Sequence, residues 1–600
     1  MKKFVAKCLS LALSAACAFG SIVGCAKKDD PNTLEIFAEE FGYGVQWLRD
    51  IKDAFEQEQW VKDEFPNLTV TIKTTVNQGQ AGNTIIAGPR SNDYDLLFTT
   101  VSQAGWYSRN DENADMFEDL SEVFNATVPG ESKKVGEKMI DTYVGWSGMD
   151  YDNNGTVDKY NVFPWVNGYV GILYNPANLD AYFGNDWREP LTTQELEELA
   201  DRVVQYAKDN ELTDVYPIVG PNVGYWESVV RTWWAQYQTR EGFTNYLNGG
   251  VDEDRQYHIE AIQQTGKLRA YEALEGVLGA PGDKTATGDA KVTSKNDWRN
   301  SQWDFGRLQM RFLDGNGVFM ANGNWFDNEM RASAESGNIT DSKIKYMKMP
   351  VISSLVEQLN IWSEPEKVGL TMSLGNDNKL TEAANKSAGY PSLNAAKKAE
   401  YDEILRGLVE IVDGTASQTK IDGVKAKYTE KGKTDAQYNA DVARVRAARH
   451  LMAPVEGHEA FIPSYATAKD PAKAFLKFMA TDKAIGLFVK ATQGCLMPFE
   501  YSNDKIDALG IEMTDLQKSC RDMVNAGGVQ LPVRAAHRMY LLGGFSTQKY
   551  SGGTVETLFT AQNGVDRMSA LDLWQWDVTY YYDNNKAMWT NALRTAGIQQ

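Results

Sequence analysis

Short apolar strands and amphipathic helices alternate from the start of the folded chain, and this alternation constrains its architecture more than any other feature. Leu34-Glu35-Ile36-Phe37 reads as a strand. A turn around Gly42 to Gly44 leads into a helix carrying Leu48, Ile51 and Phe55 on one face, at the i, i+3, i+7 spacing of a buried stripe. After Pro66, the alternating Leu68-Thr69-Val70-Thr71-Ile72 predicts a half-buried strand, and Tyr94 to Phe98 predicts another. This order is that of an α/β domain with a mostly parallel sheet, in which ligands sit at the carboxyl ends of the strands. The rule places Glu39, Glu40, Tyr43, Thr99 and Trp106 near a cleft.

A second α/β region begins after Phe163, as a chain of 600 residues allows. Leu191 to Ala207 predicts a helix opened by a capping box of Thr192 and Glu195, with Leu196, Leu199 and Val203 inward. A later helix is predicted with Asp470 as N-cap, Pro471 at its first position and Phe475, Phe478 and Met479 inward. Between them, residues 375–450 are rich in Lys, Ala, Asp and Glu with modest helical periodicity. They read as an inserted helical excursion outside the core.

The N-terminus predicts where the chain folds. Lys2, Lys3 and Lys7 form a basic start, and an apolar and small-residue run follows from Cys8 to Gly24. The pattern is that of a secretory signal peptide over 1–24, too short for a stable membrane span. It ends in Ile22-Val23-Gly24-Cys25, which resembles the lipobox of bacterial lipoproteins: the Cys25 thiol takes a diacylglyceryl thioether before cleavage. Each buried acyl CH₂ contributes about 0.8 kcal/mol, so two or three chains hold a protein firmly to a membrane. Residues 25–32 then read as the lipidated cysteine and a polar tether, and the expected location is extracytoplasmic. No other transmembrane segment is expected.

Charge and composition narrow the function. A net charge of -20 argues against nucleic acid, because phosphate binding needs a dense Lys/Arg surface. The 16 Trp and 28 Tyr present apolar faces with polar edges, on which the C–H face of a sugar ring can stack. Catalytic signatures are missing: there is no GxSxG, HExxH, CxxC or GxxxxGK[ST]. The four His (His258, His450, His458, His537) are scattered, and no carboxylate pair stands out among 81 acids. The expectation is a binding protein, not an enzyme, with no required cofactor. Cys495 and Cys520 are open to two readings, a disulfide or two buried thiols.

One metal signal is specific. Asp150-Tyr151-Asp152-Asn153-Asn154-Gly155-Thr156-Val157-Asp158 matches the D-x-D-x-N-G loop of Ca²⁺ sites. Oxygen ligands would come from Asp150, Asp152, Asn154 and Asp158, with the Thr156 carbonyl. Position 12 is Asn161 instead of the bidentate Glu, and no flanking EF-hand helices are predicted. The expected role is structural, and the alternative is a solvated turn.

Six ordered segments resemble the extracellular solute-binding proteins of ABC importers, family 1, the maltodextrin-binding-like group. The opening strand and helix look like that family's first βα unit, and Asp93-Tyr94-Asp95-Leu96-Leu97-Phe98 like its "PDI/PDV" strand. Tyr160-Asn161-Val162-Phe163-Pro164 followed by Gly171-Ile172-Leu173-Tyr174-Asn175-Pro176 resembles its crossover. Leu191 to Glu198 resembles its "P-x-T-W-(D/E)-E-L" helix start, with Gln194 in place of Trp. Gly317 to Trp325 resembles "G-K-A-A-M-x-x-G-x-W", and Lys469 to Met479 its "K-N-K-E-A-A-x-x-F-L-K-F" helix.

The resemblance implies a two-lobed periplasmic-binding-protein-like α/β fold of type II, with a hinge between the lobes and the ligand cleft at their interface. Lobe one would be 33–166 with 350–512, and lobe two 167–349 with 513–600. The implied ligand residues are Glu40, Tyr43, Thr99, Trp106, Asn167, Tyr225, Trp226, Trp325 and Tyr540. Trp and Tyr would stack on pyranose faces while Glu and Asn bond vicinal hydroxyls. The implied function is capture of a carbohydrate, an oligosaccharide by preference, by a monomer that delivers it to the permease. A surface glycoside hydrolase or a glycan-binding lipoprotein without a transporter are the alternatives.

Overall fold

The computed structural model describes residues 31–77, 79–88, 92–102, 116–150, 156–219, 223–247, 264–279, 305–336, 343–364, 389–455, 457–532, 555–559 and 568–580. Thirteen strands lie among them. The first six are β1 (Thr33–Glu39), β2 (Thr69–Thr75), β3 (Leu96–Thr99), β4 (Gly148–Met149), β5 (Lys159–Tyr160) and β6 (Phe163–Pro164). Next come β7 (Tyr169–Tyr174), β8 (Tyr216–Ile218), β9 (Gly317–Gly323) and β10 (Lys345–Tyr346). The last are β11 (Leu451–Pro454), β12 (Glu459–Phe461) and β13 (Val529–Gln530).

They build two main sheets, one per lobe. The first runs β2-β1-β3-β12-β6 and the second β13-β11-β7-β9-β8, with β10 also pairing to β7. In the first lobe β1 runs parallel to β2 and β3, as the strand–helix alternation predicts. Helix Gln46–Gln57 covers this sheet with Trp47, Leu48, Ile51 and Phe55 fully inward. Its amphipathic stripe supplies the apolar face that the sheet needs to bury.

Asp95 explains why an acid stands at the start of β3. It is buried, accepts the Glu35 N–H at 3.0 Å, and accepts the Thr467 and Ala468 N–H groups at 2.8 and 3.0 Å. One carboxylate thus ties β1 to the N-terminus of helix Lys469–Met479, whose free donors attract negative charge. That helix begins two residues before the predicted start, with Ala468 as N-cap and Asp470 inside the first turn. Helix Thr193–Asp209 does begin on Thr192, whose side chain accepts the Glu195 N–H. The Glu195 carboxylate reaches Leu191 N–H at 2.8 Å, so the reciprocal bond lands one residue before the cap.

The sheets depart from a mostly parallel arrangement where the chain passes between lobes. β6 and β12 pair antiparallel in the first sheet, and β7 and β11 pair antiparallel in the second. Residues 165–168 therefore run side by side with residues 455, 457 and 458 where the chain passes between the lobes. The Trp165 N–H donates to His458 O at 3.2 Å, and the Val455 N–H to Gly168 O at 3.0 Å. A two-stranded ribbon of this kind bends without losing either sheet's register.

This ribbon corrects the expected boundary at residue 350. The chain stays with the second lobe at Pro454, because β10 and β11 belong to the second sheet and the described residues between them pack there. The insertion is helical as expected, with helices Ala395–Asp413, Gln418–Glu430 and Asp435–Arg449. It is not outside the core, however. Tyr401, Leu405, Leu408, Val445 and Ala448 join the same buried cluster as Trp233 and Trp234. Arg449 grips Asp413 through Nε and Nη2 at 3.1 and 2.9 Å, which closes the first helix on the third.

Cys495 and Cys520 are buried free thiols. Burial pushes Cys495 up to about 12, so it stays protonated. Among the described residues no helix is long and apolar enough to cross a membrane.

Candidate functional site

The two lobes meet through aromatic side chains placed by the ends of β1 and β9 and by the ribbon. Tyr43 follows β1, and its hydroxyl donates to Asn324 Oδ1, just past β9 in the other lobe, at 2.9 Å. Trp325 comes next. Its ring centroid lies 5.8 Å from Tyr43, 5.6 Å from Tyr225 and 6.2 Å from His458. Trp165, on the ribbon, stacks on Trp47 at 4.8 Å and meets Tyr43 edge-on at 5.9 Å. Gly323 permits this packing, since a Cβ there would fall 2.1 Å from the Trp325 ring.

Nearly every polar edge in the cluster is committed. Trp165 Nε1 donates to Thr99 O at 3.3 Å. Burial holds the Tyr43 and Tyr225 phenols well above their ordinary range, so both remain neutral donors at any working pH. Burial also drives His458 down to about 3, so its imidazole is neutral.

The expected ligand residues divide into groups. Tyr43, Tyr225 and Trp325 converge at the junction. Thr99 is buried at the end of β3 beside them, and its hydroxyl bonds Glu39 at 3.3 Å and Val101 O at 3.1 Å. Glu40 is exposed. Its neighbour Glu39 takes the inner position, accepting the Ala81 N–H at 2.9 Å, the Thr100 N–H at 3.0 Å and the Thr100 hydroxyl at 2.8 Å. β1 ends at Glu39, so Glu39 is held in the sheet while Glu40 lies just past the strand.

Asn167 and Trp226 are both buried. Asn167 lies at the first crossover as predicted, but its side chain accepts from Tyr143 at 3.2 Å and from Gln530, and its N–H binds Leu496 O at 2.8 Å. Its bonds hold the hinge. Trp226 is 1% exposed inside the second lobe's core, and Tyr225, one helical position before it, is partly buried against both lobes' clusters. Trp106, Tyr540 and Cys25 lie outside the described residues. Sequence reasoning did not single out Trp165 and gave His458 no ligand role. The two residues flank β6 and β12 at the chain crossovers.

At the metal loop, Gly148 pairs with Tyr160 and Met149 with Lys159, and the Asp158 N–H donates to Met149 O at 2.9 Å. The hairpin brings Asp150 and Asp158 opposite each other, with Asp150 and Asn161 buried and Thr156 exposed. Asp152 and Asn154 lie outside the described residues. Among the described residues, no group of three or more His, Cys, Asp or Glu converges to hold a metal ion.

Behind Trp325, Asp327 opens the next helix and accepts the Thr514 hydroxyl. Burial raises its carboxyl from 3.8 to about 6. The folded chain thus holds this proton more tightly than the unfolded one, and stability falls as pH climbs from about 4 through about 6. Asp327→Asn keeps an acceptor for Thr514 and removes the buried charge. It should stabilise the protein by about 2 kcal/mol at pH 7.5 and by much less at pH 4.5. Thermal unfolding at the two pH values checks this.

No protein-family model matches the chain, and no curated protein matches it in sequence. Solved structures do. The GacH receptor of Streptomyces glaucescens, solved unliganded and with acarbose, is 12% identical over 93% of this chain and 98% of its own, with a TM-score of 0.50. An ABC substrate-binding protein of Listeria monocytogenes in complex with cycloalternan is also 12% identical, over 95% and 100%, at 0.49. A family 1 extracellular solute-binding protein from Bifidobacterium longum subsp. infantis reaches 0.48 at the same identity, over 93% and 99%. Two α/β lobes, a paired hinge ribbon and this likeness together give the chain the fold of the GacH receptor.

Proposed function

We propose that this chain captures a carbohydrate, an oligosaccharide by preference, outside the membrane and delivers it to the permease of an ABC importer. The observation that carries the reading is the aromatic junction: Tyr43 and Trp165 on one side face Tyr225 and Trp325 on the other, across a hinge. Flat rings that meet only when two lobes approach are suited to sandwiching a pyranose, and hinge closure converts binding into a shape change a permease can read. The fold likeness to a receptor solved with acarbose supports the same reading. No covalent step is needed, and the binding site requires no cofactor. The chain acts as a monomer, held at the membrane by lipid on Cys25.

A thermal-shift screen against a glycan library, with the glycan recovered and chromatographed, tests the proposal. A ligand that binds only the folded state raises the melting temperature, by about 2.7 kcal/mol of stability at a hundredfold excess over Kd. The expected result is a shift with the glycan intact. Cleaved product would make the chain a hydrolase, and no shift with any glycan would overturn the reading.

We also propose that the loop from Asp150 to Asn161 takes Ca²⁺ as a structural ion. Chelation with EGTA should then lower the melting temperature, and added Ca²⁺ should restore it. An unchanged midpoint together with no Ca²⁺ by elemental analysis would remove the ion.

A further inference from the structure

His458 is the one member of the aromatic junction whose placement the packing alone does not account for. It ends the second strand of the ribbon, between β11 and β12, with φ at +56°. This left-handed conformation is uncommon for a residue with a side chain, and such outliers cluster at functional sites. The preceding Gly457, at φ +94°, fixes it: a Cβ there would fall 2.3 Å from Thr100 O, so the turn is pressed against the end of β3.

That geometry drives the imidazole inward. The ring is 7% exposed and stands 5.4 Å from Tyr43 and 5.0 Å from Trp165, edge to face in both cases, with Trp325 at 6.2 Å. Tyr43 and Trp165 spend their polar atoms on Asn324 and Thr99. His458 Nδ1 has no hydrogen-bond partner among the described residues, although it is buried. A buried polar atom without a partner is rare in a native structure and calls for a ligand or water to complete it. Trp325 belongs to the other lobe, so hinge opening parts it from His458.

We propose that His458 is a ligand-contacting residue whose Nδ1 hydrogen-bonds a hydroxyl of the sugar held between Trp325 and the Tyr43–Trp165 pair. This rests on the carbohydrate-binding reading and adds an orienting contact to it. The rings supply sequence-tolerant stacking, and the imidazole, able to accept or donate according to tautomer, selects the hydroxyl pattern. The left-handed backbone presents that edge and keeps it from finding a protein partner.

The test uses the full chain with ¹⁵N-labelled histidine, titrated with maltotriose, raffinose and chitotriose. Four histidines give few signals, and the His458 signal is assigned by its loss in His458→Gly. That variant keeps the left-handed backbone without strain and removes only the ring. The expected result is a shift of the His458 Nδ1 resonance by several ppm with at least one sugar, and at least a tenfold loss of affinity for it in His458→Gly. A purely structural role would leave the resonance unmoved. If a sugar binds the wild type while the resonance stays in place and the variant keeps its affinity within twofold, this inference falls and the carbohydrate reading stands. If none of the three sugars binds, both fall.

Discussion

Trp325→Ala should weaken oligosaccharide binding by tenfold or more, about 1.4 kcal/mol, and leave a folded protein with a lower melting temperature. The ring is only 4% exposed and touches aromatic partners from both lobes. Its removal therefore takes away the face on which a pyranose would stack and opens a cavity where the lobes meet. Truncating a buried Trp in a packed core costs about 3–5 kcal/mol, but this ring sits at a junction that can relax by hinge motion, so the loss should fall at or below that range. Each lobe retains its own buried cluster, so the chain should stay folded. Trp325→Phe keeps a flat face and should recover most of the affinity. Calorimetric titration of the three proteins with one glycan reads both effects, and unchanged affinity in Trp325→Ala would place the sugar elsewhere.

The largest effect on stability should come from Lys267→Met. Lys267 Nζ lies 3.0 Å from Asp577, with both side chains 4% exposed, and Tyr271 donates to the same carboxylate at 2.8 Å. The ammonium also stands over the rings of Trp234, Tyr246 and Tyr271 at 5.4, 5.5 and 5.8 Å. The pair docks helix Ala570–Tyr580 onto helix Thr265–Leu278. Methionine fills the volume but strands the Asp577 charge, and breaking a buried pair in this way costs about 3–5 kcal/mol. Lys267→Met with Asp577→Leu removes both charges and should recover more than half of the loss. Denaturant unfolding of the single and double variants separates the pair from its surroundings; a double variant no better than the single one would show that the stranded charge is not the cause.

Local pattern made much of this legible. Leu48, Ile51 and Phe55 mark their helix because an amphipathic stripe carries its own period, and Trp325 comes from the family resemblance of Gly317 to Trp325. What pattern could not show was pairing between distant segments. Nothing near residue 454 announces that β11 pairs with β7 while β12, a few residues later, pairs with β6, and so the return to the first lobe was expected a hundred residues too early. The insertion was read as peripheral because its charged faces dominate the composition, yet Tyr401, Leu405 and Leu408 are spaced to line one face and do enter the core. Glu39 and Glu40 are indistinguishable as types, and only the end of β1 at Glu39 separates the buried acid from the exposed one. Tyr225 and Trp226 are likewise adjacent aromatics on one helix, and only the structure shows that Trp226 is fully buried while Tyr225 is partly buried.

The account depends on hinged lobes that close on a sugar. Small-angle X-ray scattering of the full chain, with and without a saturating glycan chosen from the thermal-shift screen, measures that closure directly. Closure predicts a radius of gyration that falls on binding as the hinge between the paired strands bends. Superimposable curves for free and saturated protein would contradict it.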